Sequence, residues 1–219
     1  MRNKIWCIGC SYTGGTHTND YIGWPLGLST EVRNYDIYNL GLEGTSIEFH
    51  SYILGQIKKH YNIKNDIFVI CMTNPNRLTT WRFFDLKKFI KKDNTRANYF
   101  YLDLGIKHHV QVVTPSSGID GFRKLYYEFI EPEHLKWNFN IHTEYLTTNT
   151  NFMFYHNRKN KNQEKAKQLT SYYCPSYKDH LDLNTWNEQC IDKGEHLSEE
   201  GVILQGKWVY QNLKEKELI

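Results

Sequence analysis

The chain has 219 residues, of which 40% are hydrophobic and 23% are charged, and this composition is typical of a globular protein with one medium-sized domain. The formal charge of +3 is too small to indicate nucleic-acid binding. The first residues are too polar for a signal peptide, and no run of about 18 apolar residues predicts a transmembrane helix. We therefore expect a soluble protein that binds neither nucleic acid nor membrane, whereas the composition leaves its oligomeric state open.

The five cysteines are odd in number, and three of them lie inside or beside apolar runs, where a reduced and packed thiol is the usual occupant. Their spacing matches neither a disulfide framework nor a zinc site. We therefore expect reduced thiols and a cytoplasmic protein.

Apolar patterns predict strands that alternate with helices along the chain. Strands are predicted at 4–9, 35–42, 66–72 and 151–156, and helices at 20–33, 46–61, 132–146 and 198–216. The run at 66–72 is apolar throughout, which is typical of a central parallel strand. This order of elements predicts an α/β domain with a mostly parallel central sheet covered on both faces. In such a domain the functional groups lie at the carboxyl ends of the strands.

Two segments fit this alternation poorly. Residues 78–131 mix aromatic and lysine residues without a clear period, so we interpret them as an insertion into a single domain that spans 1–219. Within that segment 108–115 is predicted to form an extra strand outside the core sheet. The stretch from 157 to about 190 is polar, and within it we interpret KNKNQEKAK at 160–168 as a solvated loop and the start of a helix. In the last helix, the residues predicted on or near one apolar face are Val202, Leu204, Trp208, Val209 and Leu213.

The stretch IGCSYTGGT at 8–16 fits two kinds of loop. As a phosphate loop it has Gly9, Gly14 and Thr16 in place, but Gly15 stands where lysine should reach the terminal phosphates. The strand that runs into TNPNR also ends without the carboxylate that would hold magnesium. As a nucleophile turn, the stretch presents the hydroxyl of Ser11 just after a strand, and this interpretation is the better supported one.

The ends of the first three strands support the nucleophile interpretation. They read GCSYT, NLGLEGTS and TNPNR, and DKGEHLSEEG follows near the C-terminus. Together and in this order, the four stretches resemble the four blocks of the SGNH (GDSL-like) hydrolase family, and most closely those of divergent SGNH-like proteins of phages. The resemblance implies a three-layer α/β/α sandwich of flavodoxin-like topology.

The resemblance also implies roles for three residues. Ser11 matches the nucleophile, Gly44 matches the glycine whose backbone N–H helps to form the oxyanion hole, and His196 matches the general base. The residue types suit this chemistry, because a serine hydroxyl is a poor nucleophile until an imidazole takes its proton. The tetrahedral intermediate in turn needs preorganised donors at its negatively charged oxygen.

The third block departs from the family pattern. It usually carries G-x-N-D, whose asparagine is a further oxyanion donor, whereas here the strand runs into TNPNR. The side-chain amide of Asn74 or of Asn76 can fill this role, and Arg77 can supply a positive charge. The sequence does not choose among the three.

The fourth block departs at the acid. The family usually places aspartate three residues before the histidine, and that position is Lys193 here. Asp192 lies one residue further away, and Gly194 permits a turn that would bring its carboxylate back to the ring of His196. Glu195 adjoins His196, and its side chain should diverge from the ring. We therefore predict that Asp192 orients His196, with Glu195 as the alternative.

These predictions describe a serine-dependent hydrolase that cleaves an ester or O-acyl group of a small molecule or a glycan. Water completes the reaction, and the mechanism calls for no metal and no cofactor. One alternative is a catalytically degenerate SGNH-fold protein that acts as a binding or virion-associated module, and another is an acyltransferase. If the gene belongs to a phage, the expected location is the host cytoplasm or the virion.

Overall fold

A computed structural model describes ten segments of the chain. These are residues 3–15, 23–42, 45–73, 78–85, 99–101, 107–113, 151–156, 173–174, 177–190 and 196–219. The helix predicted at 132–146 lies outside them.

Eight strands form two sheets within these segments. They are β1 (Asn3–Ile8), β2 (Tyr35–Asn39), β3 (Ile67–Met72), β4 (Leu78–Asp85), β5 (Tyr99–Tyr101), β6 (Lys107–Val113), β7 (Asn151–His156) and β8 (Tyr173–Cys174). The main sheet has the order β5-β2-β1-β3-β7-β8, and every neighbouring pair in it is parallel. Strands β4 and β6 pair with each other in a separate antiparallel sheet.

All four strands predicted for the core are present in the main sheet, and β3 is buried along its whole length, as expected for a central parallel strand. The extra strand predicted at 108–115 is β6, and it lies outside the main sheet. Within 78–131, the segment interpreted as an insertion, β5 pairs with β2 at the edge of the main sheet. At three residues, β5 is too short to produce a recognisable period.

Five helices lie in the described segments. They are α1 (Ser11–Gly14), α2 (Pro25–Glu31), α3 (Ile47–His60), α4 (Leu183–Gln189) and α5 (Glu199–Glu215), and a 3-10 turn at Tyr177–His180 precedes α4. Helix α4 and this turn fall in the later part of the polar stretch, at residues for which no element was predicted. Helix α2 begins later than predicted, because Pro25 occupies its first turn, where the missing backbone N–H costs no hydrogen bond.

Serine caps fix the starts of the two long helices. The Ser46 hydroxyl accepts a hydrogen bond from Phe49 N at 3.5 Å at the start of α3, and the Ser198 hydroxyl accepts one from Gly201 N at 3.2 Å at the start of α5. Both caps lie where the sequence predicts the helices to begin. A capping side chain satisfies a backbone donor that would otherwise lack a partner in the first turn.

One face of the main sheet forms a core with α2 and α5. This core includes Ile5, Cys7, Ile37, Val69, Met153, Trp24, Leu28, Val202, Val209 and Leu213. Successive strand residues point to opposite faces, and Trp6, Ile8, Phe68 and Ile70 are also buried. The ring of Trp6 contacts the ring of Tyr61, the residue directly after α3, with 5.3 Å between the ring centroids. The fold is thus an α/β fold around a parallel sheet that is buried on both faces.

The last helix departs from the prediction at Leu204. This residue was expected on or near the apolar face of α5, but its side chain is 38% exposed. It follows Val202 by two positions, which corresponds to about 200° around a helix, so it points away from the core that Val202 enters.

Helices α2 and α5 approach so closely that glycine is required at the contact. A Cβ atom added to Gly206 would lie 2.2 Å from Leu28 N, and one added to Gly27 would lie 2.6 Å from Ile203 Cα. Any larger residue would therefore push the two backbones apart. This contact fixes the first half of α5 against α2.

Two further predictions concern the cysteines and the membrane. Cys7, Cys10, Cys71 and Cys190 are free thiols, as predicted, and the first three are buried. Burial raises the pKa of the Cys7 thiol well above its usual value. In the segments that the structure describes, none of the helices is long and apolar enough to cross a membrane.

Candidate active site

Ser11 lies just beyond the carboxyl end of β1, as the first residue of α1, and its side chain is 6% exposed. Thr13 N and Gly14 N both donate to Cys10 O, at 3.0 and 2.9 Å, which closes the turn around Ser11. Gly15 N donates to Ser11 O at 2.8 Å, and Gly15 has φ of 85°, a conformation that favours glycine. The backbone on both sides of the Ser11 hydroxyl is therefore fixed.

The loop after β2 packs along the loop that carries Ser11. Leu40 N donates to Cys7 O at 2.8 Å, and Leu42 N donates to Gly9 O at 3.0 Å. The second of these bonds continues the parallel pairing of β1 and β2 beyond the ends of both strands. The two loops consequently leave the sheet side by side.

A side-chain amide and two glycines complete this contact. Asn39 Nδ2 donates to Thr13 O at 3.0 Å, and Gly41 N donates back to Asn39 Oδ1 at 3.0 Å. A Cβ atom on Gly14 would lie 2.1 Å from Gly41 O, and one on Gly41 would lie 2.2 Å from Gly14 N. Both positions therefore require glycine because the two backbones touch there.

A buried threonine joins the same two loops further along. Thr45 Oγ1 lies 2.8 Å from Leu42 O and 3.4 Å from Gly9 O, and His50 Nε2 lies 3.3 Å away on its other side. A hydroxyl has one hydrogen to donate, so the short bond to Leu42 O leaves Thr45 Oγ1 to accept from the ring N–H of His50. Thr45 and His50 are both buried.

His196 meets Ser11 from the other end of the chain. Its Nε2 atom lies 3.0 Å from Ser11 Oγ, although 185 positions separate the two residues in the sequence. The distance lies within the range of a hydrogen bond. For Nε2 to accept the serine proton, the ring hydrogen must sit on Nδ1.

The backbone that presents His196 is anchored to α4. Leu197 is fully buried and pairs with Cys190 in an isolated β-bridge, and Ser198 N donates to Gln189 O at 2.6 Å. Leu197 and Val202 occupy the two positions of a hydrophobic staple, which sets the direction in which a chain enters a helix. The approach of His196 is thus determined by the start of α5.

Gln189 is itself held by a phenol. The Tyr177 hydroxyl donates to Gln189 Oε1 at 3.1 Å, and both side chains are buried. Burial raises the pKa of Tyr177 to about 12. The Tyr177 hydroxyl therefore remains protonated throughout the neutral pH range, and its hydrogen bond to Gln189 persists there.

Tyr12 covers the imidazole of His196. The two ring centroids are 5.1 Å apart, with an angle of 35° between the ring planes. Neither Tyr12 nor Asn39 was predicted from the sequence as a site residue. Tyr12 directly follows Ser11, but its contact crosses 184 positions, and no local pattern predicts it. Asn39 lies inside the strand predicted at 35–42, two residues before Gly41, and nothing in that position marked it as a site residue.

Of the predicted site residues, the structure brings Ser11 and His196 together. The others lie outside the described segments: Gly44, Asn74, Asn76, Arg77, Asp192 and the alternative acid Glu195. Thr73, which directly precedes Asn74, is buried after the end of β3.

The arrangement can carry out nucleophilic chemistry. A serine hydroxyl within hydrogen-bonding distance of an imidazole is the pairing that activates serine for attack on a carbonyl. The pair lies at the carboxyl end of β1, which neighbours β2 on one side and β3 on the other. In open α/β sheets, ligands bind at such a point, where the strand order reverses. Among the residues that the structure describes, no three His, Cys, Asp or Glu side chains cluster in a way that could hold a metal ion.

Comparison with known proteins adds no assignment. No protein-family model matches this chain, and none of the curated proteins matches it significantly.

Proposed function

We propose that this protein is a serine-dependent acyl hydrolase of the SGNH type, which cleaves an ester or O-acyl bond. The observation that carries the proposal is the distance of 3.0 Å between Ser11 Oγ and His196 Nε2. The pair lies at the carboxyl end of the central strand β1, the kind of position where ligands bind in open α/β sheets. Two side chains from opposite ends of the chain meet at the spacing that proton transfer needs.

The topology supports the corresponding fold, a three-layer α/β/α sandwich of flavodoxin-like type. Leaving aside the short edge strand β5, the order β2-β1-β3-β7-β8 corresponds to the doubly wound order 2-1-3-4-5. Both faces of the sheet carry buried apolar side chains, as helices on each side would require.

The proposed reaction begins with attack of Ser11 Oγ on the carbonyl carbon while His196 Nε2 takes the hydroxyl proton. The tetrahedral intermediate then expels the alcohol, which takes that proton from the imidazolium and leaves an acyl group on Ser11. A water molecule, deprotonated by the same imidazole, attacks the acyl carbonyl and releases the acid. The cycle consumes one water and returns Ser11 and His196 to their starting states.

The remaining roles come from the family resemblance. The backbone amides of Ser11 and Gly44 would hold the negatively charged oxygen together with the side chain of Asn74 or Asn76, or with the positive charge of Arg77. Asp192 would accept the Nδ1 hydrogen of His196 and so fix the tautomer that the reaction needs. The proposed substrate is an O-acyl group on a carbohydrate or a small acyl ester.

Covalent labelling by a fluorophosphonate tests the proposal directly, because the reagent reacts with an activated serine and not with an ordinary surface hydroxyl. We expect the intact protein to gain one adduct, located on Ser11 by peptide mass spectrometry. Ser11→Ala should gain none, and His196→Gln should react at least about a hundredfold more slowly, since it lacks the base.

Cys10→Ala is the matched control for these variants. Cys10 adjoins Ser11 and is buried, so replacing it perturbs the same turn without removing the hydroxyl. It should be labelled at nearly the wild-type rate. A folded wild-type protein that gains no adduct would overturn the hydrolase proposal and favour a binding module. Labelling together with transfer of the acyl group to an added alcohol in preference to water would favour an acyltransferase.

A further inference from the structure

We infer that Tyr12 is a positioning residue, whose ring holds the His196 imidazole against Ser11 and stabilises its protonated form during the reaction. The inference rests on the proposed function, because it assigns Tyr12 a task that matters only if His196 acts as a base. It concerns the residue directly after the nucleophile, for which the sequence predicts no role.

The contact between the two rings has the geometry of a favourable aromatic pair. The centroids are 5.1 Å apart and the planes are inclined by 35°, within the range of about 4.5–7 Å over which aromatic rings attract each other. The Ser11 hydroxyl fixes only the Nε2 end of the imidazole, at 3.0 Å. Tyr12 contacts the ring itself, and it therefore restricts the rotation that the bond to Ser11 leaves possible.

Tyr12 is well placed to act as a rigid support. Trp24 N lies 3.4 Å from Tyr12 O and donates to it, and Trp24 Nε1 donates to Thr13 Oγ1 at 3.0 Å. A Cβ atom on Gly23 would lie 2.9 Å from Tyr12 O and 1.8 Å from Thr13 O, so the chain before α2 presses directly on this turn. The Tyr12 backbone is thus held by the segment that enters the core.

The ring also distinguishes the two charge states of His196. An aromatic face attracts a cation within about 6 Å of its centroid, whereas it has no such attraction for a neutral imidazole. His196 becomes charged only as Ser11 gives up its proton. The interaction therefore strengthens between the ground state and the transition state, which is the condition for an effect on kcat rather than on KM.

Replacement of Tyr12 by phenylalanine and by leucine distinguishes the effect of the aromatic ring from the effect of side-chain volume. Tyr12→Phe keeps the ring and should retain kcat for a small acyl ester within about twofold. Tyr12→Leu fills similar space without a ring and should lower kcat by about 3- to 30-fold, the size of a cation–π contribution, with KM within about twofold. The rate of labelling of Ser11 by a fluorophosphonate should fall by a similar factor in Tyr12→Leu alone.

Proton NMR of Ser11→Ala tests the contact without relying on catalysis or on any Tyr12 variant. The carbon-bound ring protons of His196 should give nuclear Overhauser contacts to the Tyr12 ring. They should also be shifted upfield from those of an exposed histidine. Absence of both signatures would overturn the inference even if Tyr12→Leu failed to fold.

The outcomes separate the inference from the proposed function. If wild-type Ser11 is labelled and Tyr12→Leu is labelled and turns over substrate at the wild-type rate, the role of Tyr12 is refuted and the hydrolase stands. If Tyr12→Phe is as slow as Tyr12→Leu, the phenol hydroxyl rather than the ring face matters, and the inference is refuted. If the wild type is not labelled at all, both proposals are refuted.

Discussion

Replacing Ser11 and His196 by alanine, singly and together, tests whether the two side chains act as one catalytic unit. The perturbation removes the two atoms that lie 3.0 Å apart, Ser11 Oγ and His196 Nε2. If the contact is the working hydrogen bond, removing either partner disables the other, and the second substitution has little left to remove.

The expected magnitudes follow from this coupling. Each single substitution should lower kcat/KM by roughly a thousandfold or more, which corresponds to about 4 kcal/mol of lost transition-state stabilisation. Independent effects would add to about 8 kcal/mol in the double variant, whereas a coupled pair should again lose about 4 kcal/mol. The coupling energy is therefore expected to be about as large as either single effect.

The assay is turnover of 4-nitrophenyl acetate at neutral pH by the wild type and the three variants, each checked for folding by circular dichroism. Cys10→Ala serves as the control: Cys10 is buried beside Ser11, and its replacement leaves the Ser11 hydroxyl in place, so this variant should keep most of the activity. Losses that add within about 0.5 kcal/mol would show that Ser11 and His196 act independently. Equal turnover by wild type and Ser11→Ala would refute the mechanism altogether.

Two further predictions concern the acid of the proposed triad and the packing of the last helix. Asp192→Asn should lower kcat about ten- to ten-thousandfold, the upper figure being the loss seen in a full triad, whereas Glu195→Gln should keep most of the activity. Steady-state kinetics in which Glu195→Gln loses more activity than Asp192→Asn would make Glu195 the orienting acid. Gly206→Ala should lower the free energy of unfolding in urea by about 1–3 kcal/mol, because its Cβ would lie 2.2 Å from Leu28 N. Lys207 is exposed and adjacent, so Lys207→Ala should change this free energy by less than about 0.5 kcal/mol. A Gly206→Ala protein as stable as the wild type would contradict the close packing of α2 and α5.

Much of the sheet could be predicted because buried parallel strands are apolar throughout. The strand at 151–156 was predicted to the residue, and β3 was assigned to the centre of the sheet from its uninterrupted apolar run. The helix starts predicted at 46 and 198 coincide with the capping residues Ser46 and Ser198; such starts are predictable because a capping hydroxyl and the first helical turn are neighbours in the sequence. These features depend on local chemistry, which a single sequence contains.

What could not be predicted depends on contacts between distant segments. Nothing near Tyr12 in the sequence indicates that its ring will lie against His196, and nothing near Asn39 indicates that its amide will bond to Thr13 O. Helix α4 was missed because its segment is largely polar, although Trp186 and Gln189 within it are buried. The pairing of Ser11 with His196 was expected from the family resemblance and not from any local pattern.

If Ser11 and His196 form the proposed catalytic pair, their separation of 185 positions has a consequence for when activity can appear. During synthesis the chain emerges from its N-terminus, so the turn that carries Ser11 exists long before the imidazole that is to activate it. Contacts between such distant positions form late, because a long loop must close before they contribute. A stalled or truncated chain that ends before His196 would contain the serine but not its proposed base, and the proposed mechanism predicts that such a chain is inert toward esters. The gain of fluorophosphonate reactivity during refolding would then report the docking of the last helix, as distinct from formation of the sheet.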